Sequence, residues 1–449
     1  MNIIPGSQSS RWIQLLKWAF NPIGFMEDNA QRYGHVFSTL FYGNAHKIVF
    51  VSNPEVLREI LTRDSKDLSA PGKENNIVAP LLGDYSITML DGAKHRGRRK
   101  LLMPSFHGER LQNYGQLICD LTEKIFDQHP VGETFCAREL TQKISLQVIL
   151  EVVFGFRDGE RTQEIAYRVA QMLDFFNSPA SSLFLLLPML QKDLGRWSPW
   201  GYFLHLRSQL DELLYAEINE RRNQKDPEAT DILALLLAVR DENEEGLSNQ
   251  EVRDELVTLL FAGHETTATA LSWALYWTHH LPEVGVKVRQ ELSSLGENPD
   301  PVEIFKLPYL TAVCNETLRI YPVGMLTFSR VVKESMEIEG YQFTPNMSIV
   351  GCIYLAHQRE DLYPQPKEFK PERFLERQFS AYEFMPFGGG ARRCLGEILA
   401  MFELKLVLAT ILSRYQLALA DNQPEKPHRR GLTLAPTRGV RMKIQNFSF

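Results

Sequence analysis

The chain has 449 residues, 44% of them hydrophobic and 23% charged, a composition that supports a large buried core and excludes a disordered or fibrous protein. A formal charge of −6 argues against a general nucleic-acid binder, while leaving room for a local basic face. Five widely spaced cysteines, Cys119, Cys136, Cys314, Cys352 and Cys394, do not suit a disulfide framework; they fit a reducing, cytoplasmic compartment and argue against secretion.

In chain order, Arg11, Gln14 and Lys17 interrupt the apolar residues of the first twenty, so neither a membrane-spanning helix nor a secretory signal is expected there. Residues 12–20 read as an amphipathic helix packed on the body of the protein, with contact to a membrane surface as the alternative. Alternation over 36–51 predicts strands. From 108 to 239 apolar residues recur at three- and four-residue spacing, which predicts a mainly α region. A polar, acidic stretch at 241–249 reads as a surface loop before a long helix, 251–280, ended by Pro282. At 1.5 Å per residue that helix runs about 45 Å, enough to carry a mid-helix residue to the centre of the molecule. A further helix is expected after Pro308. Strands are expected at 336–349, where Gly340-Tyr341 and Pro345-Asn346 supply turn chemistry, and strands from both halves are expected to meet in a small sheet. No linker, repeat or low-complexity segment divides the chain, so residues 1–449 are expected to form one domain.

The strongest chemical signal is Phe387-Gly388-Gly389-Gly390-Ala391-Arg392-Arg393-Cys394-Leu395-Gly396, followed by an amphipathic helix over 397–412. A glycine-rich turn lets backbone approach a flat cofactor and donate N–H groups to a thiolate. The helix that follows places its positive end near the sulfur. A buried structural thiol or a phosphate-cradling loop would be the plainer readings, but the stretch lacks the Gly-Lys-Ser/Thr ending of a P-loop. Phe387, Gly388, Gly390, Arg392, Cys394 and Gly396 resemble the heme-binding signature of the cytochrome P450 superfamily. The resemblance implies a mainly α fold with a small β-rich region and a long central helix, and a heme b whose iron is held by Cys394.

A second match, Ala262-Gly263-His264-Glu265-Thr266-Thr267, lies in the long helix. By itself it is a polar patch on an apolar helix, with a glycine that removes a side chain and an acid next to a hydroxyl, groups able to relay protons. It resembles the family's oxygen-activation motif, which implies Glu265 as the acid, Thr266 as the hydroxyl at the oxygen site, and Ala262 and Gly263 over the heme face. A third, Glu316-Thr317-Leu318-Arg319 with Pro371-Glu372-Arg373-Phe374, would alone be an i, i+3 surface pair; the resemblance makes Glu316, Arg319 and Arg373 a buried network that holds the cysteine loop.

Heme propionates call for cationic donors, and the resemblance points to His95, Arg99, Arg330 and Arg392, with His95 standing where many relatives have tryptophan. Arg96, Arg98 and Lys100 are expected on an exposed basic face which, with Arg393, receives an acidic electron donor. Apolar stretches at 77–89, 175–190, 260–262, 323–328 and 432–434 coincide with the family's substrate-contact regions and imply an oily pocket. The sequence around the long helix and Glu339-Gly340-Tyr341 is similar to hydroxylases of fatty acids, retinoids and terpenoids, which implies a long-chain fatty acid or similar lipid as substrate, with a terpenoid as runner-up. No flavin, nicotinamide or iron–sulfur fingerprint appears in the chain, so the two electrons for O2 are expected from a ferredoxin or flavodoxin with its reductase. A peroxide-using or rearranging heme-thiolate enzyme, or a heme carrier or sensor, are the competing readings; the acid–threonine pair favours the oxygen-dependent monooxygenase.

Overall fold

The longest apolar-rich stretch of the sequence folds as a 32-residue helix, Asn249–His280, about 48 Å long at 1.5 Å per residue. Its start is locked by a reciprocal pair: the Ser248 hydroxyl accepts from the Glu251 N–H, and the Glu251 carboxylate accepts from the Ser248 N–H. Pro282, which cannot continue the ladder, opens the next helix, Pro282–Ser293. Nearly every side chain between Val252 and Thr278 is buried, so this helix is the axis of the core rather than a surface helix with one apolar face. It packs along Ala137–Phe154, and Pro199–Gln224 and Glu397–Arg414 also lie against it.

The computed structural model describes residues 3–40, 47–63, 68–72, 78–155, 159–176, 181, 184, 187–224, 231–240 and 245–447. Part of the loop expected at 241–249, residues 241–244, lies outside them. Helices account for most of the described chain, as the mainly α reading required. The expected small sheet joins the two halves: Ile48–Val51 runs parallel to Ser348–Gly351, with Val49 opposite Ile349. Val36–Thr39 is antiparallel to Ile48–Val51, and Arg330–Val332 and Leu68–Ser69 complete the other edge. Its register is set by residues such as Val36, Val49 and Ile349, all fully buried. A second sheet was not visible in the sequence. Thr134–Cys136, Arg441–Phe447 and Tyr415–Leu419 form three strands with Arg441–Phe447 in the middle; the first is three residues long, too short for an alternation to register. A C-terminal hairpin, Pro427–Arg430 with Thr433–Pro436, is tied to the central helix where Trp273 Nε1 donates to the Leu434 carbonyl at 3.0 Å.

Arg11–Phe20 packs on the body through Gln14, Leu15, Trp18 and Ala19, while Trp12, Ile13, Leu16 and Phe20 stay exposed on its other side. Among the described residues no helix is long and apolar enough to cross a membrane.

Glu316 and Arg319, on Pro308–Ile320, have no exposed side-chain surface and meet in a fork, Nε to Oε2 at 2.6 Å and Nη2 to Oε1 at 2.8 Å. Arg373 Nε reaches Glu316 Oε1 at 3.3 Å. Arg319 also donates to the carbonyls of His357 and Pro366, each at 2.9 Å. Removing one member leaves a buried charge without its partner, so Glu316→Gln is expected to lower unfolding stability by about 3–5 kcal/mol, measured by denaturant titration of the purified chain.

Candidate functional site

The stretch from Phe387 to Gly396 closes on itself: the Cys394 N–H donates to the Phe387 carbonyl at 2.9 Å, and the Gly388 N–H to the Met385 carbonyl at 2.9 Å. Glycine is required at Gly390, where φ is +66° and an added Cβ would fall 2.0 Å from the Leu61 carbonyl oxygen. Gly388 also has a positive φ, +70°, and a Cβ there would meet no atom within 4 Å, so this part of the turn borders open space. Glu397–Arg414 starts three residues after the cysteine. The Cys394 sulfur is deep inside the protein yet accessible, because it lines an internal cavity.

That cavity, about 400 Å³, lies between the cysteine loop and the middle of the central helix. The loop contributes Phe387, Gly388, Arg392 and Cys394; the helix contributes Ala262, Gly263 and Thr266. Thr266 follows Ala262 by four residues and Gly263 by three, spacings that turn it to the side of both, and Ala262 and Thr266 are accessible on a helix otherwise largely buried. The remaining walls include Ile87, Thr88, Val148, Ile149, Leu259 and, from the run 323–328, all but Met325. Two distant segments that carried separate motifs therefore face each other across one space.

A flat cofactor with an iron centre fits the donors present. Burial pushes the Cys394 thiol up to about 11, eased by the Gly396 backbone N–H and by Arg99 and Arg393. A thiolate here needs a cation opposite it, which is what a metal centre supplies. His95, Arg99 and Arg392 line the same cavity. Arg99 Nη1 also donates to the Arg393 carbonyl at 2.6 Å, and Arg392 donates to the carbonyls of Ala70, Ile87 and Leu90. Arg330 does not line the cavity; it stands behind the glycines, donating to the Phe328 carbonyl at 3.1 Å and the Gly389 carbonyl at 3.4 Å.

Glu265 and Thr266 are adjacent in sequence but face different ways. Thr266 lines the cavity and its hydroxyl donates to the Ala262 carbonyl at 2.6 Å. The Glu265 carboxylate turns to Ala137–Phe154, where it is held by Arg138 and accepts from Gln142 at 3.1 Å. Arg430 lies 3.9 Å from Glu265 and 3.4 Å from the exposed Asp174. None of Arg138, Gln142 or Arg430 carries a sequence signal, because each is recognisable only by its partner.

Some expectations need correction. Gly263 does not open room for a ligand by its missing side chain: a Cβ there would run to 2.6 Å from Ile149 Cδ1, so the glycine serves close packing of two helices. Arg98 is not on an exposed basic face. It is buried and paired with Glu255 at 2.9 Å and Glu251 at 3.7 Å, whereas Arg96 and Lys100 are exposed as expected, with Lys94 beside them. Of the apolar stretches, 77–89, 260–262 and 323–328 reach the cavity, while 432–434 does not. Much of 175–190, namely 177–180, 182, 183, 185 and 186, together with Ile77, lies outside the described residues. Phe175, Phe176 and Phe184 pack with Phe203 and Trp200 instead of lining the cavity.

A family model for cytochrome P450 matches residues 5–443. The chain belongs to the cytochrome P450 family. It is 34% identical over 447 residues to cytochrome P450 135B1 of Mycobacterium bovis, covering 99% of this chain and 92% of that one. It is 33% identical over 442 residues to cytochrome P450 135A1 of Mycobacterium tuberculosis, covering 98% and 94%. Among solved structures, a retinoic acid-bound cyanobacterial CYP120A1 superposes with a TM-score of 0.85 at 25% identity, over 100% of both chains. The protein is thus a cytochrome P450 monooxygenase, of a family that carries heme iron and draws electrons from redox partners.

One titratable group of this P450 site had no motif to announce it. Glu403, on the helix after Cys394, is buried at the cavity edge and one of its oxygens has no hydrogen-bond partner. Burial pushes its carboxyl up to about 8, eased by a hydrogen bond with Ser145. Ser145 also donates to the Gly263 carbonyl at 3.2 Å, so Glu403 and the Gly263 carbonyl share one hydroxyl between the two helices. The folded chain then holds a proton that the unfolded chain releases above its ordinary value of 4.5. Its stabilisation is complete below that value and is lost as pH rises to about 8. Glu403→Gln, neutral at every pH and still a donor, is expected to show a smaller fall in thermal midpoint between pH 5 and pH 8.5 than the parent, followed by circular dichroism.

Proposed function

We propose that Cys394 would supply the thiolate that holds the iron of a heme b and that the protein hydroxylates a lipid-like substrate with O2. The observation that carries this reading is the accessible sulfur facing Ala262 and Thr266 across one internal cavity. When bound, the heme supplies O2 activation, with the anionic sulfur favouring O–O cleavage. His95, Arg99 and Arg392 would hold its propionates, with Arg330 bracing the glycine turn behind them. Thr266 would hold a proton at Oγ1 at the oxygen site, since its lone pairs remain free to accept while the hydroxyl back-bonds to Ala262. Glu265 would collect protons on the far side of the helix, where Arg430 links it towards the exposed Asp174, and carry them to Thr266 by swinging its carboxylate.

The substrate walls, at residues 87–88, 258–259 and 323–328, present aliphatic and aromatic groups with hydroxyls from Thr88, Thr258 and Thr327 but no cation. This supports recognition of an apolar body rather than of a charged head. We read a long-chain fatty acid or similar lipid as the substrate; a retinoid is the second reading, favoured by the retinoic acid in the structural neighbour, with a terpenoid beside it. A ferredoxin or flavodoxin with its reductase would supply electrons at the face carrying the exposed Lys94, Arg96, Lys100 and Arg393. A cytoplasmic location fits the cysteine usage, and the exposed stripe Trp12, Ile13, Leu16 and Phe20 beside Arg11 and Lys17 would allow peripheral contact with a membrane.

The reduced, carbon monoxide-bound protein is expected to show the Soret band of thiolate-ligated heme, and Cys394→Ser to lose it; persistence of the band in the variant overturns the ligand assignment. Thr266→Ala is expected to keep that band while diverting reducing equivalents to hydrogen peroxide, read as peroxide formed per electron pair consumed. Because the substrate walls offer no cation, a fatty acid and the alcohol of equal chain length are expected to give spin-state shifts of similar affinity. A strong preference for the acid would mean that a charged anchor exists elsewhere.

A further inference from the structure

The wall of the cavity formed by Ile87 and Thr88 belongs to residues 83–91, a segment with neither helix nor strand. Apart from the turn in which the Met89 and Leu90 N–H groups donate to the Ser86 carbonyl, what ties such a segment to the body is side chains of other elements, since its backbone groups have no ladder to join. Two of its backbone donors go to the first half of the central helix. The Tyr85 N–H donates to Asp254 Oδ2 at 3.0 Å and the Ile87 N–H to Glu255 Oε2 at 3.2 Å. Thr258, one turn on, donates its hydroxyl to Ser86 Oγ at 2.7 Å, and Ser86 Oγ meets Thr88 Oγ1 at 2.8 Å. Gly83, with φ +89°, makes the approach possible, since a Cβ there would lie 2.2 Å from the Asp254 carboxylate. Two of its carbonyls go the other way. Arg392, two residues before Cys394, donates to the Ile87 carbonyl at 3.0 Å and the Leu90 carbonyl at 2.6 Å.

Ile87 is therefore pinned at both of its backbone groups, by an acid of the central helix and by an arginine of the cysteine loop. Glu255 has no exposed side-chain surface and its Oε2 also accepts from Arg98 at 2.9 Å, on the helix that carries His95 and Arg99. One carboxylate oxygen thus joins the central helix, the propionate-side helix and the substrate wall.

We propose that Glu255, with Asp254 and Thr258, is a clamp that sets how far Ile87 and Thr88 stand into the cavity and so determines which ligands fit over the heme. These are positioning residues, and the inference rests on the reading of the cavity as the heme and substrate site. The clamp acts on ligand retention: a segment released from Glu255 swings outward and lets a bound molecule leave.

The test uses the heme-loaded protein and 4-phenylimidazole, which ligates iron and lays its ring against the cavity wall. Glu255→Ala is expected to raise its dissociation rate on the order of tenfold, the scale of one hydrogen bond to a charged group, and to speed hydrogen exchange in the peptide spanning 83–91. Glu251, 3.7 Å from Arg98, still gives that arginine an ion partner in the variant. Glu255→Gln keeps an acceptor for the Ile87 N–H and is expected to restore slow dissociation, which a general loss of packing would not do. If Glu255→Ala does not fold, Ser86→Ala, which removes only the hydroxyl between Thr258 and Thr88, is expected to give a smaller rise in the same two readouts. Unchanged dissociation and exchange in a folded variant overturn the clamp. A wild-type protein with no thiolate carbon monoxide band and no Soret shift with 4-phenylimidazole overturns the heme reading instead, so the two failures are told apart.

Discussion

The Glu316–Arg319 fork is the constraint on which the cysteine site rests. An i, i+3 ion pair on a wet helix contributes a few tenths of a kcal/mol, but this one is wholly enclosed, and a buried charge persists only if every donor and acceptor is met. Meeting them draws in distant backbone: Arg319 takes the carbonyls of His357, Pro366 and Glu368, and Glu316 takes the Lys370 N–H and Arg373. His357 then passes the constraint on. Burial, with Arg319 close by, pushes its imidazole down to about 3, so it is neutral and its Nε2 can accept the Met385 N–H at 2.9 Å. Met385 in turn accepts from Gly388. A chain of satisfied groups thus runs from a helix with no catalytic role to the turn that carries Cys394.

The same logic separates what could be read in the sequence from what could not. The central helix was legible to within two residues at its start because its apolar content, its acidic preface and Pro282 are local signals. The cysteine loop was legible because Gly388 and Gly390 need positive φ and so leave a mark in composition. Glu316 and Arg319 were legible only through the likeness to a known family, since their spacing is common on any helix. That strands of the two halves meet in one sheet followed from patterning, but the parallel pairing of Ile48–Val51 with Ser348–Gly351 and its register depend on contacts between residues about 300 apart.

What stayed hidden was direction and partnership. Nothing local distinguishes Arg98 from Arg96 or Lys100 in a run of basic residues; only the approach of Glu255 from another helix makes it a core residue. Glu265 beside Thr266 suggested a contiguous acid–hydroxyl pair, but adjacent helical residues point about 100° apart, and Arg138 decides which side the acid takes. Glu403 could have been noticed as a lone acid in the apolar run from Ile398 to Leu412, interrupted otherwise only by Lys405 and Thr410.

That 100° step gives the central helix its division of labour. Ala262, Gly263 and Thr266 face the cavity; Asp254, Glu255 and Thr258, two turns earlier, hold the substrate wall; Glu265 faces Arg138 and Arg430. A carboxylate placed on the cavity face would lose Arg138, Gln142 and Arg430. Placed one residue away, it keeps its arginine partners and a link towards the surface, while the neutral hydroxyl alone enters the dry space. The motif therefore puts the acid and the hydroxyl on different sides of one helix, and a single residue of helical rotation is enough to do it.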